Sequence, residues 1–311
     1  MNKKYDVVVV GELNIDLVLW NVPMPEDEKE KLAEDMRFAM GSSSAITAHN
    51  LAALGSKVAF IGKAGTDVFG DFMIEQLQQA GVDTSFVIRD PKLKTGATIV
   101  LANPPKKALL TYMGAMTELR LNDINRELLT QARHLHLGCF FLQTGIRQDV
   151  AKLFAEAKQM GLTTSMDTNW DPDEIWGDDL IDALDHTDIF LPNDDEALRI
   201  ARVDSIDAAI LELGQRVKIL AVKRGSEGAT VYTDKETHSD PGFSVTAVET
   251  TGAGDSFNAG FLHKYLQQAS WHECLRHANA CGAIAITAIG GTAAFQNQTE
   301  LKKNLDHILN G

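Results

Sequence analysis

The chain has 311 residues, 44% hydrophobic and 23% charged, enough apolar material for one large α/β core or two smaller ones. Its 29 Lys and Arg stand against 43 Asp and Glu, and the resulting formal charge of −14 argues against nucleic acid or an anionic membrane as a partner. A small anionic ligand is still admissible, because it answers to local dipoles and a few basic side chains.

Cys139, Cys274 and Cys281 form no Cys-x-x-Cys pair and cannot all pair with one another; in their apolar surroundings they are expected to be buried thiols of a reducing compartment. The opening "MNKKYDVVVVGELNID" lacks a signal-peptide core of normal length, and no apolar run of about 18 residues occurs. A soluble cytoplasmic protein is the expectation.

In chain order, short β-branched runs alternate with helical patterns. Strands are predicted over 6–10, 57–61, 134–137, 162–167, 188–191 and 219–223, and helices over 44–54, 69–80, 149–159, 194–201, 206–213 and 255–268, with a last apolar helix over 272–288. Buried strands separated by helices call for a mostly parallel sheet covered on both faces. Two regions break the rhythm. Residues 14–40 hold "IDLVLW" and "EDMRFAM" around the charged "MPEDEKEK", read as a solvated tip, and residues 95–113 hold "TGATIVLA" and "KKALLTYM" around "NPP". Both read as period-two hairpins that pair into one small, discontinuous lid sheet beside a single domain spanning 1–311.

The stretch "ETTGAGDSFNAGF" at 249–261 carries the most chemistry. Phe257, Phe261 and Tyr265, with Leu262 and Leu266, recur at helical spacing, so a buried helix begins near Gly254. Glycines at its start bring the backbone close to a ligand, and the free N–H groups with the dipole favour an anion. Asp255 in the first turn is expected to be held ionised by that dipole, placed to take a proton from an attacking hydroxyl. Taken alone, a glycine turn with an Asp cap explains the stretch equally well.

Further segments change that balance. "VETTGAGDSFNAGF" resembles the C-terminal signature of the PfkB, or ribokinase-like, family of carbohydrate kinases, whose pattern runs D-T-x-G-A-G-D. "VVGELNIDLVL", "GSSSAITAHNLAALG", "IGKAGTDVFGDFMIEQLQQAGVDTS", "LPNDDEAL" (an N-x-x-E) and "VKRGSEGA" (a K-x-G-x-x-G) are similar to that family's other segments, in the same order over nearly the whole chain.

The resemblance implies a ribokinase-like three-layer α/β/α fold with a small β lid, and ATP-dependent, Mg²⁺-assisted phosphoryl transfer to a sugar hydroxyl. It implies Asp255 as the base, and the amides of Gly252, Ala253 and Gly254 as the anion hole. Asp16 would grip substrate hydroxyls, joined by Asn14, Gly41, Ser42 and Ser43. Asn193 and Glu196 would stand near the phosphates and their magnesium, while Lys223, Gly225, Gly228, Thr251 and Asn279 would line the nucleotide. Such chemistry needs positioning and charge neutralisation more than covalent help, and a lid that keeps water from competing as acceptor.

Three departures stand out. Glu249 replaces the signature's first Asp, in a region where the family holds a monovalent cation, and so leaves K⁺ activation open. Gly41 is followed by Ser42 where a second glycine is usual, and Ile46 stands where Asn is frequent, offering hydroxyls in place of bare backbone. "SMDTNWDP" replaces an Asp-Asn-Arg type run; of Asp167, Asn169 and Asp171, Asn169 is expected nearest the site.

Other patterns carry less. "GKAGTD" lacks the upstream glycine of a P-loop, and "VVVVGELNID" lacks G-x-G-x-x-G. His134 and His136 share a strand face without a third ligand and are read as structural, although "HLHLGCFFLQ" could also line a cleft; Trp170 and Trp176 are read as loop packing.

The leading reading is therefore a small-molecule kinase. Lysines and arginines are sparse around the lid, which favours a neutral or singly charged acceptor such as ribose, fructose or a keto-deoxy sugar acid over a sugar phosphate. An adenosine-type nucleoside kinase, with Trp20 and Phe38 flanking a base, is the alternative, as is a non-catalytic sugar or nucleotide sensor of the same fold. An oxidoreductase has no fingerprint. The lid's apolar faces also admit a homodimer.

Overall fold

A computed structural model of the chain describes residues 3–103 and 106–310. The first half runs β1 (Tyr5–Val10), β2 (Asn14–Trp20), β3 (Asp35–Met40), α1 (Ser43–Ala53), β4 (Val58–Gly65), α2 (Val68–Gln79), β5 (Val87–Asp90), β6 (Gly96–Asn103) and β7 (Lys106–Tyr112). There follow α3 (Arg126–Thr130), β8 (Ala132–Leu137), α4 (Val150–Gln159), β9 (Thr163–Met166), α5 (Asp178–Leu184), β10 (Ile189–Phe190), α6 (Asp194–Ala201) and α7 (Ile206–Gly214). The chain ends with β11 (Ile219–Lys223), β12 (Ala229–Thr233), β13 (Thr237–Asp240), α8 (Ala253–Leu266), α9 (Trp271–Ala285) and α10 (Gln298–Asn310).

The main sheet has the order β13-β12-β11-β10-β9-β8-β1-β4-β5. The seven strands from β11 to β5 are parallel, and β12 and β13 run antiparallel at one edge. Strand β1 shows why a continuous valine run is needed. Val8 and Val10 pack into a layer with Leu153, Phe154, Leu180 and Ile210, while Val7 and Val9 pack against Ala45, Leu51, Phe261 and Leu262 on the opposite face. Alternate side chains of one strand thus enter two separate cores, giving helix–sheet–helix layers.

The lid is the second sheet, ordered β3-β2-β6-β7. Its outer pairs are antiparallel hairpins and its central pair, β2 with β6, is parallel. The two insertions therefore meet as expected; the hairpin turn at 104–105 lies outside the described residues. The "MPEDEKEK" tip is exposed over most of its length.

The periodic segments are found where the sequence places them, with ends shifted by a few residues. The sequence reading misses β5, α3, α5, β12, β13 and α10. In each the apolar signal is short or diluted: α10 buries only Leu301 and Leu305 among charged neighbours, and β13 is a polar edge strand with only Asp240 fully buried. Among the described residues no helix is long and apolar enough to cross a membrane. All three cysteines are free and buried.

Candidate active site

The carboxyl ends of the parallel strands, the N-terminus of α8 and the underside of the lid enclose a cleft of about 530 Å³. Ligands settle in such sheets outside the strand ends, where helix N-termini also converge.

Helix α8 begins at Ala253 with Gly252 as its cap, in the left-handed region at φ 77. A side chain there would be strained, and its Cβ would fall 2.4 Å from the Cα of Gly291, so only glycine fits. The loop at Gly291 is held in turn from α1, where Asn50 Nδ2 donates to Gly291 O at 3.0 Å and to Ser256 Oγ at 2.9 Å. The first turn of α8 and the loop at Gly291 are thus both tied to α1.

Asp255 is buried in the first turn of α8 and lines the cleft. Its carboxyl is pushed up to about 7, first by burial and then by the charge of Asp167, with Lys223 opposing. The expectation that the helix dipole holds it ionised is corrected: removal from water outweighs a partial charge at the helix end.

Lys223 Nζ lies 2.6 Å from Asp167 Oδ2, which also accepts from Asn258 Nδ2 at 2.6 Å. Burial alone would raise Asp167, but Lys223, Asn258 and the Asn169 amide hold it below the ordinary carboxylate range. Glu196 caps its own helix reciprocally with Asn193: Glu196 N donates to Asn193 Oδ1 at 2.8 Å, and Asn193 N donates to Glu196 Oε2 at 2.9 Å. Its carboxyl is raised to about 7, by burial and then by Asp167.

On the opposite wall, Asn14 Nδ2 donates to Asp16 Oδ1 at 3.2 Å and to Thr98 Oγ1 at 3.3 Å. Burial, then the charge of Glu249, lifts Asp16 to about 7. Gly41 does not line the cleft but stands against both residues. A Cβ on it would fall 2.2 Å from Asp16 Oδ1 and 2.6 Å from Asn14 Nδ2. Ser42 caps α1, its Oγ accepting from Ala45 N at 2.9 Å. Ser43 Oγ accepts from Asn169 Nδ2 at 2.6 Å, and Asn169, like Ser42 and Ser43, lines the cleft.

The cleft thus brings together Asn14, Asp16, Ser42, Ser43, Asn169, Asn193, Glu196, Lys223, Gly225, Thr251 and Gly252 through Asp255. Gly228 and Asn279 are placed one layer back. Asn279 Nδ2 donates to Asp240 Oδ1 at 2.7 Å, and a Cβ on Gly228 would meet Asp240 O at 2.0 Å. Glu249 also stands outside the lining. Its Oε1 accepts from Thr251 N and its Oε2 from Gly290 N, each at 2.9 Å, while Ile286 O accepts from Val248 N at 2.7 Å.

Sequence reasoning missed Glu12, a buried carboxylate in the cleft. Its Oε1 lies 2.9 Å from Ser42 Oγ and 3.2 Å from Ser44 N, and its other oxygen bonds Ser44 Oγ. The available signal was an acid two residues after the last buried valine of β1. Lys107 and Leu109 of the lid also line the cleft. Trp20 and Phe38 do not. Trp20 packs on Val18, Val100 and Ala102, and the Phe38 ring lies 4.5 Å from that of Phe72 on α2. Asp171 serves its loop, accepting from Ile175 N and Trp176 N.

The chain is similar to known proteins along nearly its whole length. A model of the pfkB family of carbohydrate kinases matches residues 4–298. An ATP-dependent ribose-1-phosphate kinase of Halopiger xanaduensis is 32% identical over 291 residues, covering 93% of this chain and 94% of its own. Fructokinase-2 of Oryza sativa subsp. japonica is 30% identical over 309 residues, covering 93% and 90%. The ribokinase of Arabidopsis thaliana complexed with ribose and ATP superposes with a TM-score of 0.84 at 23% identity over 97% of this chain and 98% of its own, a likeness of fold.

Proposed function

The chain belongs to the pfkB family of carbohydrate kinases, and we propose that it transfers the γ-phosphate of ATP to a hydroxyl of a neutral or singly charged sugar or sugar acid, with Asp255 as the base. One observation carries the reading: Asp255, raised to about 7, lines the same cleft as the Gly252–Gly254 amides and the Asn14–Asp16 pair. A base poised near the working pH removes the hydroxyl proton as the oxygen attacks phosphorus, and preset amides meet the charge that develops on the phosphoryl group.

Asn14 and Asp16 orient the sugar, with Ser43 and Asn169 at its side. Asn193, Lys223, Gly225 and Thr251 face the nucleotide. Glu196 keeps one carboxylate oxygen free of the reciprocal cap, which fits an outer contact to a magnesium ion arriving with the phosphates. When bound, that ion neutralises phosphate charge. Among the described residues no cluster of three acids, histidines or cysteines forms a metal cage of the protein's own.

The residues around Glu249 fit a monovalent cation poorly. Both carboxylate oxygens and the Ile286 carbonyl already accept backbone N–H groups, which leaves each with fewer lone pairs for a cation, and we propose that turnover is independent of K⁺. Asn279 and Gly228 support the nucleotide wall through Asp240. A sugar is favoured over a nucleoside because, among the described residues, no aromatic ring lines the cleft. A carboxylate on the acceptor would find Lys107.

On the lid, Phe38, Leu17, Ile99 and Leu110 form an apolar row across the strands, with Ile99 and Leu110 exposed. This row supports a homodimer through the lid, and Leu110→Lys should convert it to a monomer in sedimentation. The buried free thiols suit a cytoplasmic setting.

The decisive experiment is a panel of sugars, sugar acids and nucleosides assayed for ADP release. Turnover of one sugar that is abolished in Asp255→Asn, with ATP still bound, supports the reading. Unchanged turnover in the variant overturns the base.

A further inference from the structure

Two buried histidines beneath the site have no part in the mechanism above. His134 and His136 are two apart on β8 and so point to one face, and the parallel register sets them beside Thr163 and Ser165 of β9. On that face of β9 the next residue is Asp167, the partner of Lys223. The side chains link in one line. Thr163 Oγ1 lies 2.7 Å from His134 Nδ1, His134 Nε2 lies 2.7 Å from Ser165 Oγ, and Ser165 Oγ lies 2.7 Å from His136 Nδ1. The line ends at His136 Nε2, which is buried and has no hydrogen-bond partner.

A neutral imidazole has one donor and one acceptor nitrogen, and a serine hydroxyl has one proton. Burial drives His134 down to about 3 and His136 to about 4, so both rings are neutral. Ser165 then donates to one histidine and accepts from the other. If it donates to His136 Nδ1, both rings carry their proton on Nε2; if it donates to His134, both carry it on Nδ1. The tautomers are tied together.

The surrounding charges choose between the two orders. His136 feels Asp167 first and Lys223 second, and His134 feels His136, Asp188 and Arg133, with the edge of Tyr265 against its ring. Asp167 is the first-ranked charge acting on His136, the ring at the site end, and a negative charge there favours an N–H on that ring's free nitrogen.

We propose that Thr163, His134, Ser165 and His136 form a polarised hydrogen-bond wire that locks both histidines as Nε2–H tautomers, making His136 a positioning residue that directs an N–H dipole at the Asp167–Lys223 end of the active site. The tautomer lock is independent of the assigned reaction; its kinetic consequence rests on the kinase reading.

The test is long-range ¹H–¹⁵N correlation on the full ¹⁵N-histidine-labelled chain at pH 7.5, with His134→Gln and His136→Gln for assignment. Both rings are expected as Nε2–H, and a mixed pair or an Nδ1–H pair overturns the proposal without any variant having to fold for activity. In Ser165→Ala the lock is lost: the His136 signals should shift toward a tautomer mixture, and the acid limb of the kcat profile should move up by at least 0.3 pH units. Ser165→Thr should restore both. A limb that stays in place while kcat falls would make His136 merely structural. A chain with tied tautomers but no turnover on any acceptor would refute the kinase reading and leave the wire standing.

Discussion

Lys223 Nζ stands 2.6 Å from Asp167 Oδ2 at the floor of the cleft, with the Asp167 side chain buried and that of Lys223 largely so. This pair acts on two other carboxylates of the cleft. Asp167 is held ionised by Lys223, and its charge in turn helps raise Asp255 and Glu196 to about 7. One carboxylate is thus a fixed negative charge, while two others sit near neutrality and can change state during a reaction cycle.

Removing one member of that pair should hurt more than removing both. Lys223→Met leaves Asp167 buried without its cation and should lower unfolding free energy by about 3–5 kcal/mol. Adding Asp167→Asn to it should recover more than half of the loss. Denaturant unfolding of the two variants checks this, and a double variant no more stable than the single would mean that the pair is not what holds the floor together.

Asp255→Asn should separate stability from activity. The group rises from 3.8 to about 7 on folding, so the folded state resists ionisation that the unfolded state accepts. Stability is therefore lost as pH climbs from about 4 to 7, an effect on the order of 4 kcal/mol at its upper bound. Asparagine removes it: the melting temperature should rise by several degrees at pH 8 and by little at pH 4. Turnover should fall at least 100-fold. In the wild type, kcat/KM for the sugar should rise about tenfold per pH unit below 7 and level off above, because in the proposed reaction only the ionised carboxyl accepts the proton.

Much of this arrangement was legible in the sequence, and the exceptions have physical causes. The glycines and apolar spacing of 249–261 encode a helix start, and the clash a Cβ at Gly252 would make with Gly291 is what requires glycine there. The lid hairpins announce themselves by period-two alternation. Periodicity does not report which face meets a ligand, so Trp20 and Phe38, which the nucleoside alternative would place beside a base, pack elsewhere. Glu12 is a lone acid at a strand end, with nothing at a fixed spacing to mark its serine partners thirty and more residues on. The ionisation of Asp255 was misjudged because a helix dipole can be read from sequence, whereas burial depends on how α8 packs against the sheet.

Glu249 should act as a staple. Its two oxygens tie Thr251 N to Gly290 N, joining the anion loop to the loop after α9. Wild-type rates in K⁺ and in Na⁺ at equal ionic strength should agree within about twofold. Glu249→Ala leaves two backbone donors without their partner, a loss of about 1–3 kcal/mol each where they stay dry, and should lower kcat at least tenfold. Strong K⁺ stimulation of the wild type would mean that a cation shares the loop with the carboxylate.

Gly41 makes the sharpest test of the sugar wall, because it touches the pair without lining the cleft. A methyl group there would fall 2.2 Å from Asp16 Oδ1 and 2.6 Å from Asn14 Nδ2, so Gly41→Ala must push Asp16 and Asn14 off their present positions. The proposed nucleotide side, with Asn193, Lys223 and Gly225, is reached through other elements. We therefore expect KM for the sugar to rise at least tenfold, since a displacement of about 1 Å in a positioning group costs on the order of 100-fold in favourable cases. KM for ATP should change by less than about twofold. Steady-state kinetics with each substrate varied in turn decides the matter. An equal rise in both constants would show that the variant loosens the whole cleft, and an unchanged sugar KM would remove Asp16 and Asn14 from sugar recognition.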